Sequence, residues 1–235
     1  MTNASLLLLG LVLEPIQPAS MPGPDQLIAG MLKLYAECRS YKDDGEVVVA
    51  YLNEDGSQRG GDRRPFTTMF VRPVKFRFEF KDESGHYGSR YVIWADGGEV
   101  RSWWTNRPTV EVWPSIGHAV GTATGVSGGS ASVIAGLLLS GGRGKGPQSL
   151  QELRTVGVEA VGGVSCWRIE GRGWLSVMGK APMALWVDKG AIPHLRQIQY
   201  VFDVPDAKSR TTITFRPATN VDIDDSTFVF SPPAK

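Results

Sequence analysis

The chain predicts an α+β fold that is mainly β: one large curved antiparallel sheet, a helix ahead of it, and two short helices laid on its concave face. Three observations lead there. After residue 40 the sequence breaks into short β-branched and aromatic runs separated by turn signals, the plainest being Asn53-Glu-Asp-Gly56, Asp96-Gly97-Gly98 and Gly162-Gly163. One stretch of helical period precedes them. Between two such β blocks lies Val112–Gly142, which contains no Asp, Glu, Lys or Arg although those residues make up 21% of the chain. Helices without charge do not stand in water on all sides, so this insert must lie against an apolar surface.

At 235 residues and 42% hydrophobic content the chain is long enough to bury a sizeable core. A net charge of +1 creates no field that would attract nucleic acid, so no nucleic-acid partner is expected. The apolar run Leu6–Leu13, followed by Pro15, Pro18, Ala19 and Ser20, is too short to span a bilayer. It reads as an export leader over residues 1–20, although Met1–Ser5 holds no basic residue. One domain over 21–235 is expected to follow, outside any membrane.

The elements follow in order. Leu27, Ile28, Met31, Leu34, Tyr35 and Cys38 recur at three- and four-residue steps, one face of a helix, with Asp25 as its expected N-cap. Glu46–Leu52 and Phe66–Val71 read as strands. Lys75-Phe-Arg-Phe-Glu-Phe80 alternates strictly, with Phe76, Phe78 and Phe80 on one face and charges on a wet one. Ser89–Ala95 and Glu99–Thr105 form a hairpin. The insert, about 114–140, holds two helices: one capped by Ser115 and running to Ala123, one capped by Ser130 and running to Leu139, with Gly125–Gly129 as a hinge. Strands resume at Leu153–Ala160, Val164–Gly171, Met183–Val187, His194–Phe202 and Arg210–Arg216. Hairpins join near neighbours, so one twisted sheet that curls is the natural solution.

Several pieces in this order resemble the periplasmic lipoprotein carriers of the LolA/LolB type, and uncharacterised exported relatives most of all. They are Tyr35-Ala-Glu-Cys-Arg-Ser-Tyr41, Arg72-Pro73 before Phe76–Phe80, Gly162-Gly-Val-Ser-Cys166, Leu185-Trp-Val-Asp188 with Ile192-Pro193, and the ending from Thr212 to Pro233. The resemblance implies an unclosed β-barrel whose apolar cavity is lidded by helices and takes acyl chains. It implies a lipid-like or lipoprotein ligand, with a protein partner at the cell envelope as a further expectation. No arginine is matched to a lid contact.

Chemistry is sparse. Gly125-Val126-Ser127-Gly128-Gly129 fits the nucleophile-elbow spacing, and Ser127, Asp188 and His194 could be drawn as a triad. The antiparallel context argues against it, because that motif needs an alternating α/β fold. A serine hydrolase is therefore the least favoured reading. Gly141–Gly146 lacks the first Gly and the final Ser or Thr of a phosphate loop. His86, His118 and His194 have no ligand spacing, and Asp222, Asp224 and Asp225 lack the rest of a calcium loop, so no metal or cofactor is expected. Cys38 and Cys166 either bridge or remain two buried thiols. The aromatic residues either fill the core or line a cavity. In the second case the candidate ligand-binding set is Phe76, Phe78, Phe80, Trp94, Trp103 and Trp113 from the sheet and Ile134, Leu137 and Leu138 from the insert. The favoured function is an exported, non-enzymatic binding or carrier protein. The alternative is an interaction module with a filled core.

Overall fold

The computed structural model describes residues 21–82, 89–139, 149–174, 180–204 and 207–233, so the expected leader lies outside the described residues. Helix α1 (Pro24–Glu37) starts with Pro24 in its first turn and Gly23 as N-cap. Asp25, the expected cap, lies instead within that turn, where a carboxylate suits the helix dipole. The helix buries Ile28, Met31 and Tyr35.

The strands are β1 (Ser40–Leu52), β2 (Gln58–Val71), β3 (Lys75–Lys81), β4 (Arg90–Asp96), β5 (Val100–Trp104) and β6 (Arg107–Trp113). After the insert come β7 (Gln151–Val161), β8 (Val164–Trp174), β9 (Lys180–Asp188), β10 (Leu195–Val204), β11 (Ala207–Thr214) and the short β12 (Ala218–Thr219). They form one antiparallel sheet in the order β6-β5-β4-β3-β2-β1-β11-β10-β9-β8-β7, with β12 also paired to β1. The two β blocks meet at β1, which pairs β2 on one side and β11 on the other, Val47 opposite Arg64 and Ile213. The ends β6 and β7 are not paired with each other, so the barrel is unclosed.

β1 begins at Ser40, not Glu46, β12 has no counterpart in the reading of the sequence, and two further strands, β2 and β6, differ more. β2 begins at Gln58, not Phe66: its charged, glycine-containing first half is held by pairing with β1 down to Leu52–Gln58. The sequence reading had no β6. Arg107, Pro108 and Glu111 blur its period, and the pairing shifts register between Ser102 and Trp104.

Within the insert, α2 (Ile116–Ala123) is capped by Ser115, whose side chain accepts from the His118 amide, and α3 (Ser130–Leu139) follows. The α3 face of Ala131, Ile134, Ala135, Leu137 and Leu138 is buried with α1 and the inner face of the sheet in one core. The outer face of the sheet carries two smaller clusters, one around Cys166 and Trp186 and one around Trp94 and Trp103. The charged face of β3 is less wet than its alternation suggests. Arg77 donates to the carbonyls of Thr227 and Val229, and Lys75 pairs with Asp225, so the C-terminal segment straps across it. Burial would raise the Glu79 carboxyl, but Arg90 and Arg77 beside it hold it below its ordinary value.

Candidate functional site: a pocket between the free edge and the lid

The sheet curls under the insert, and the inner face is set by strand parity. On β4 the inward residues are Tyr91, Ile93 and Ala95, and on β5 Trp104 and Ser102 stand opposite Tyr91 and Ile93. Phe76, Phe78 and Phe80 are 0%, 0% and 2% exposed, and Ile134, Leu137 and Leu138 no more than 1%. These six residues form a filled core beneath the lid, in which Phe78 lies 6.0 Å from Phe66 and Phe80 stacks on Tyr91.

A pocket of about 310 Å³ opens where the packing ends, between α2 and the free edge of the sheet. Its walls are the rings of Tyr91, Trp104 and Trp113, closed from the lid side by Thr122 and Val126. The polar tips of two of these rings are used inside the protein. The Tyr91 hydroxyl bonds Thr122 Oγ1 at 3.2 Å, and Trp113 Nε1 donates to Ser102 Oγ at 2.8 Å. Trp104 Nε1 is buried in the wall and has no hydrogen-bond partner. The interior thus offers ring faces and methyl groups. Charge appears at the rim, where Arg107 and Glu111 project from the inward side of β6.

Of the nine expected ligand-binding residues, Trp113 alone lines this pocket. Trp94 and Trp103 are a correction. Both point to the opposite face, where they enclose Phe230 at 5.0 and 5.8 Å under the guanidinium groups of Arg77 and Arg90. In the pair Trp103-Trp104 the inward ring is Trp104, and only the register of β5 with β4 decides which of the two it is. A wider groove of about 460 Å³ lies on the outer face, but Arg154 and Arg168 in it are paired with Glu170 and Glu159.

Sequence reasoning also missed Arg72. Its Nε donates to the Cys38 carbonyl at 2.8 Å, and its Nη2 donates to the carbonyls of Tyr35 at 2.8 Å and Leu138 at 3.2 Å. One guanidinium thereby holds the C-terminal ends of both α1 and α3, where the helix dipoles favour a cation. Arg72-Pro73 reads as a turn in sequence, and nothing local shows what its side chain reaches. At the other end of α3 the Tyr200 hydroxyl donates to the Gly128 carbonyl at 3.1 Å.

Ser127 is fully buried, its hydroxyl donating to the Thr124 carbonyl and accepting from the Ala131 amide, which makes it a cap of α3. Asp188 and His194 do meet, at 3.4 Å, but Asp188 is held by two bonds from Arg196 and His194 Nε2 lies 3.1 Å from Thr219 Oγ1. Burial lowers the His194 pKa. These contacts fix the β9–β10 turn, while the Ser127 hydroxyl is bonded within the start of α3. Cys38 and Cys166 are free buried thiols, one in the main core and one in the outer cluster, so the bridge left open by the sequence is not formed. Burial and the Asp188 charge push the Cys166 thiol up to about 11. Among the described residues no group of three or more His, Cys, Asp or Glu could hold a metal ion. Asp224 caps the 3-10 turn Asp225–Phe228, and Asp222 pairs with Arg39. Gly141–Gly146 lies outside the described residues. No described helix is long and apolar enough to cross a membrane.

Several solved structures are similar to the chain. The lipoprotein LppX of Mycobacterium tuberculosis is 14% identical at a TM-score of 0.49, over 85% of this chain and 96% of that one. LprF of Mycobacterium bovis is 11% identical at 0.46, over 86% and 97%. A LolA superfamily protein of Nitrosomonas europaea is 8% identical at 0.38, over 89% and 99%. A comparison with curated proteins finds no match. The model of the DUF2092 family, described as predicted periplasmic protein, matches residues 71–235. The exported location read from the sequence agrees with that description, and the chain belongs to this family.

Proposed function

We propose that this is an exported, non-enzymatic binding protein for a lipid-like ligand, free or as the acyl part of a lipoprotein. The ligand's apolar chain enters beside β6 and lies against Trp104 and Trp113 under the lid. The observation that carries this reading is the aromatic pocket in which the polar tips of Tyr91 and Trp113 are bonded within the protein and that of Trp104 is buried in the wall. Such a lining rewards removal of hydrocarbon from water, at about 0.8 kcal/mol per methylene, and offers a polar ligand little to bond in its interior. The lid supports it: α2 and α3 carry no charge, and α3 is fastened at its two ends by Arg72 and Tyr200. Longer chains would need α3 to move off the filled core.

Native mass spectrometry of protein purified without detergent tests this. The expected result is a population carrying a lipid-mass adduct that solvent extraction removes. A homogeneous apo mass that takes up no added fatty acid would overturn the reading. It would favour the second one, an interaction module whose half-barrel is filled, which the near-zero exposure of Phe76, Phe78 and Ile134 supports.

A further inference from the structure

The rim of the pocket carries a second piece of chemistry. Arg107, Thr109 and Glu111 are alternate residues of the edge strand β6, so they stand on the same side of it, at the mouth. Arg107 Nη1 lies 3.3 Å from Glu111 Oε1, with side-chain exposures of 76% and 36%. An ion pair so open to solvent is worth little and exchanges readily for other charges. Inside, the Tyr91 hydroxyl and the Trp113 N–H are taken by Thr122 and Ser102, and the unpartnered Trp104 Nε1 is a single neutral donor buried in the wall, so nothing there matches a charged head group. A head group must therefore remain at the mouth, where it meets one cation and one anion side by side. A simple anion gains Arg107 but is repelled by Glu111. A head group bearing both an anionic phosphate and a cationic amine satisfies each.

We infer that the ligand of this pocket is a zwitterionic glycerophospholipid, with one acyl chain among Tyr91, Trp104 and Trp113, its phosphate on Arg107 and its ammonium on Glu111. The inference rests on the apolar-chain reading above and adds the head group to it.

The test displaces a fluorescent fatty acid from the delipidated full chain with phosphatidylethanolamine and phosphatidylglycerol of identical short acyl chains. Phosphatidylethanolamine should compete about threefold better, the worth of one solvent-exposed charge contact of about 0.6 kcal/mol. The margin should shrink as salt rises. Glu111→Gln should abolish the preference by strengthening phosphatidylglycerol, and Arg107→Gln should weaken both lipids. Both side chains are solvent-exposed at the rim, so the variants should fold, and an unchanged circular dichroism melt verifies this. Equal competition by the two lipids, or a preference that survives Glu111→Gln, would overturn the head-group assignment while leaving the apolar-chain reading standing. If the wild type binds neither the probe nor either lipid, both fall together.

Discussion

Asp43 is fully buried on the inner side of β1, opposite Thr68 of β2. Its Oδ1 accepts from the Arg216 amide at 2.6 Å, while Oδ2 has no regular hydrogen-bond partner. Burial pushes its pKa up to about 7 from an ordinary 3.8, against the opposing pull of the Arg216 bond. The native state then keeps its proton where the unfolded chain has lost it. The contribution to stability is full below about pH 4 and is lost as pH rises through 7, at most about 4 kcal/mol in all. Urea unfolding should find the wild type less stable at pH 8 than at pH 5. Asp43→Asn keeps the acceptor for Arg216 and should flatten that slope; an unchanged slope would contradict this account. Arg72 is the other decisive residue. Arg72→Leu removes three bonds to helix-end carbonyls and should cost about 4–5 kcal/mol, the low end for charged hydrogen bonds worth about 1.5–3 kcal/mol each. Hydrogen exchange should show the last turn of α3 opening faster.

The insert is held at its hinge as well as at its ends. Gly128 has φ +59°, and a Cβ there would sit 3.0 Å from Val47 Cγ1, whereas a Cβ on Gly125 meets nothing within 4 Å. Gly128→Ala should cost about 1–2 kcal/mol, and Gly125→Ala should be close to neutral. Equal melting temperatures for the two variants would refute the hinge geometry. The C-terminal strap gives a separate test. Phe230→Ala empties the space between Trp94 and Trp103 and should cost about 3 kcal/mol. Ligand binding should be unchanged, because those rings face away from the lid. A loss of binding in that variant at full folding would restore Trp94 and Trp103 to the site.

For the molecule as a whole, local sequence carried the sheet well and the site poorly, for physical reasons. Alternation in Phe76–Phe80 and hairpin glycines report on neighbours two to four residues away, and the lack of charge in α2 and α3 reports on what they face. These survive in the fold. The pairing of β1 with β11 joins residues far apart in sequence, and no local period encodes it. The inward side of Trp103-Trp104 depends on that kind of register, as does the reach of Arg72 to α3. β6 was hidden because an edge strand with Pro108 and two charges lacks the apolar run of an inner strand. The pocket sits against this strand, so of the candidate site only Trp113 was legible in the sequence.

The central claim is that an apolar chain occupies the space between α2 and β6. Val126 lines that space from the lid, and Val126→Trp should fill it. The most direct measurement titrates a fluorescent fatty acid into the delipidated wild type and this variant, with their melting temperatures matched. The account predicts one saturable site in the wild type and its loss in Val126→Trp. Undiminished binding in the variant, or no saturable binding in the wild type, would contradict it.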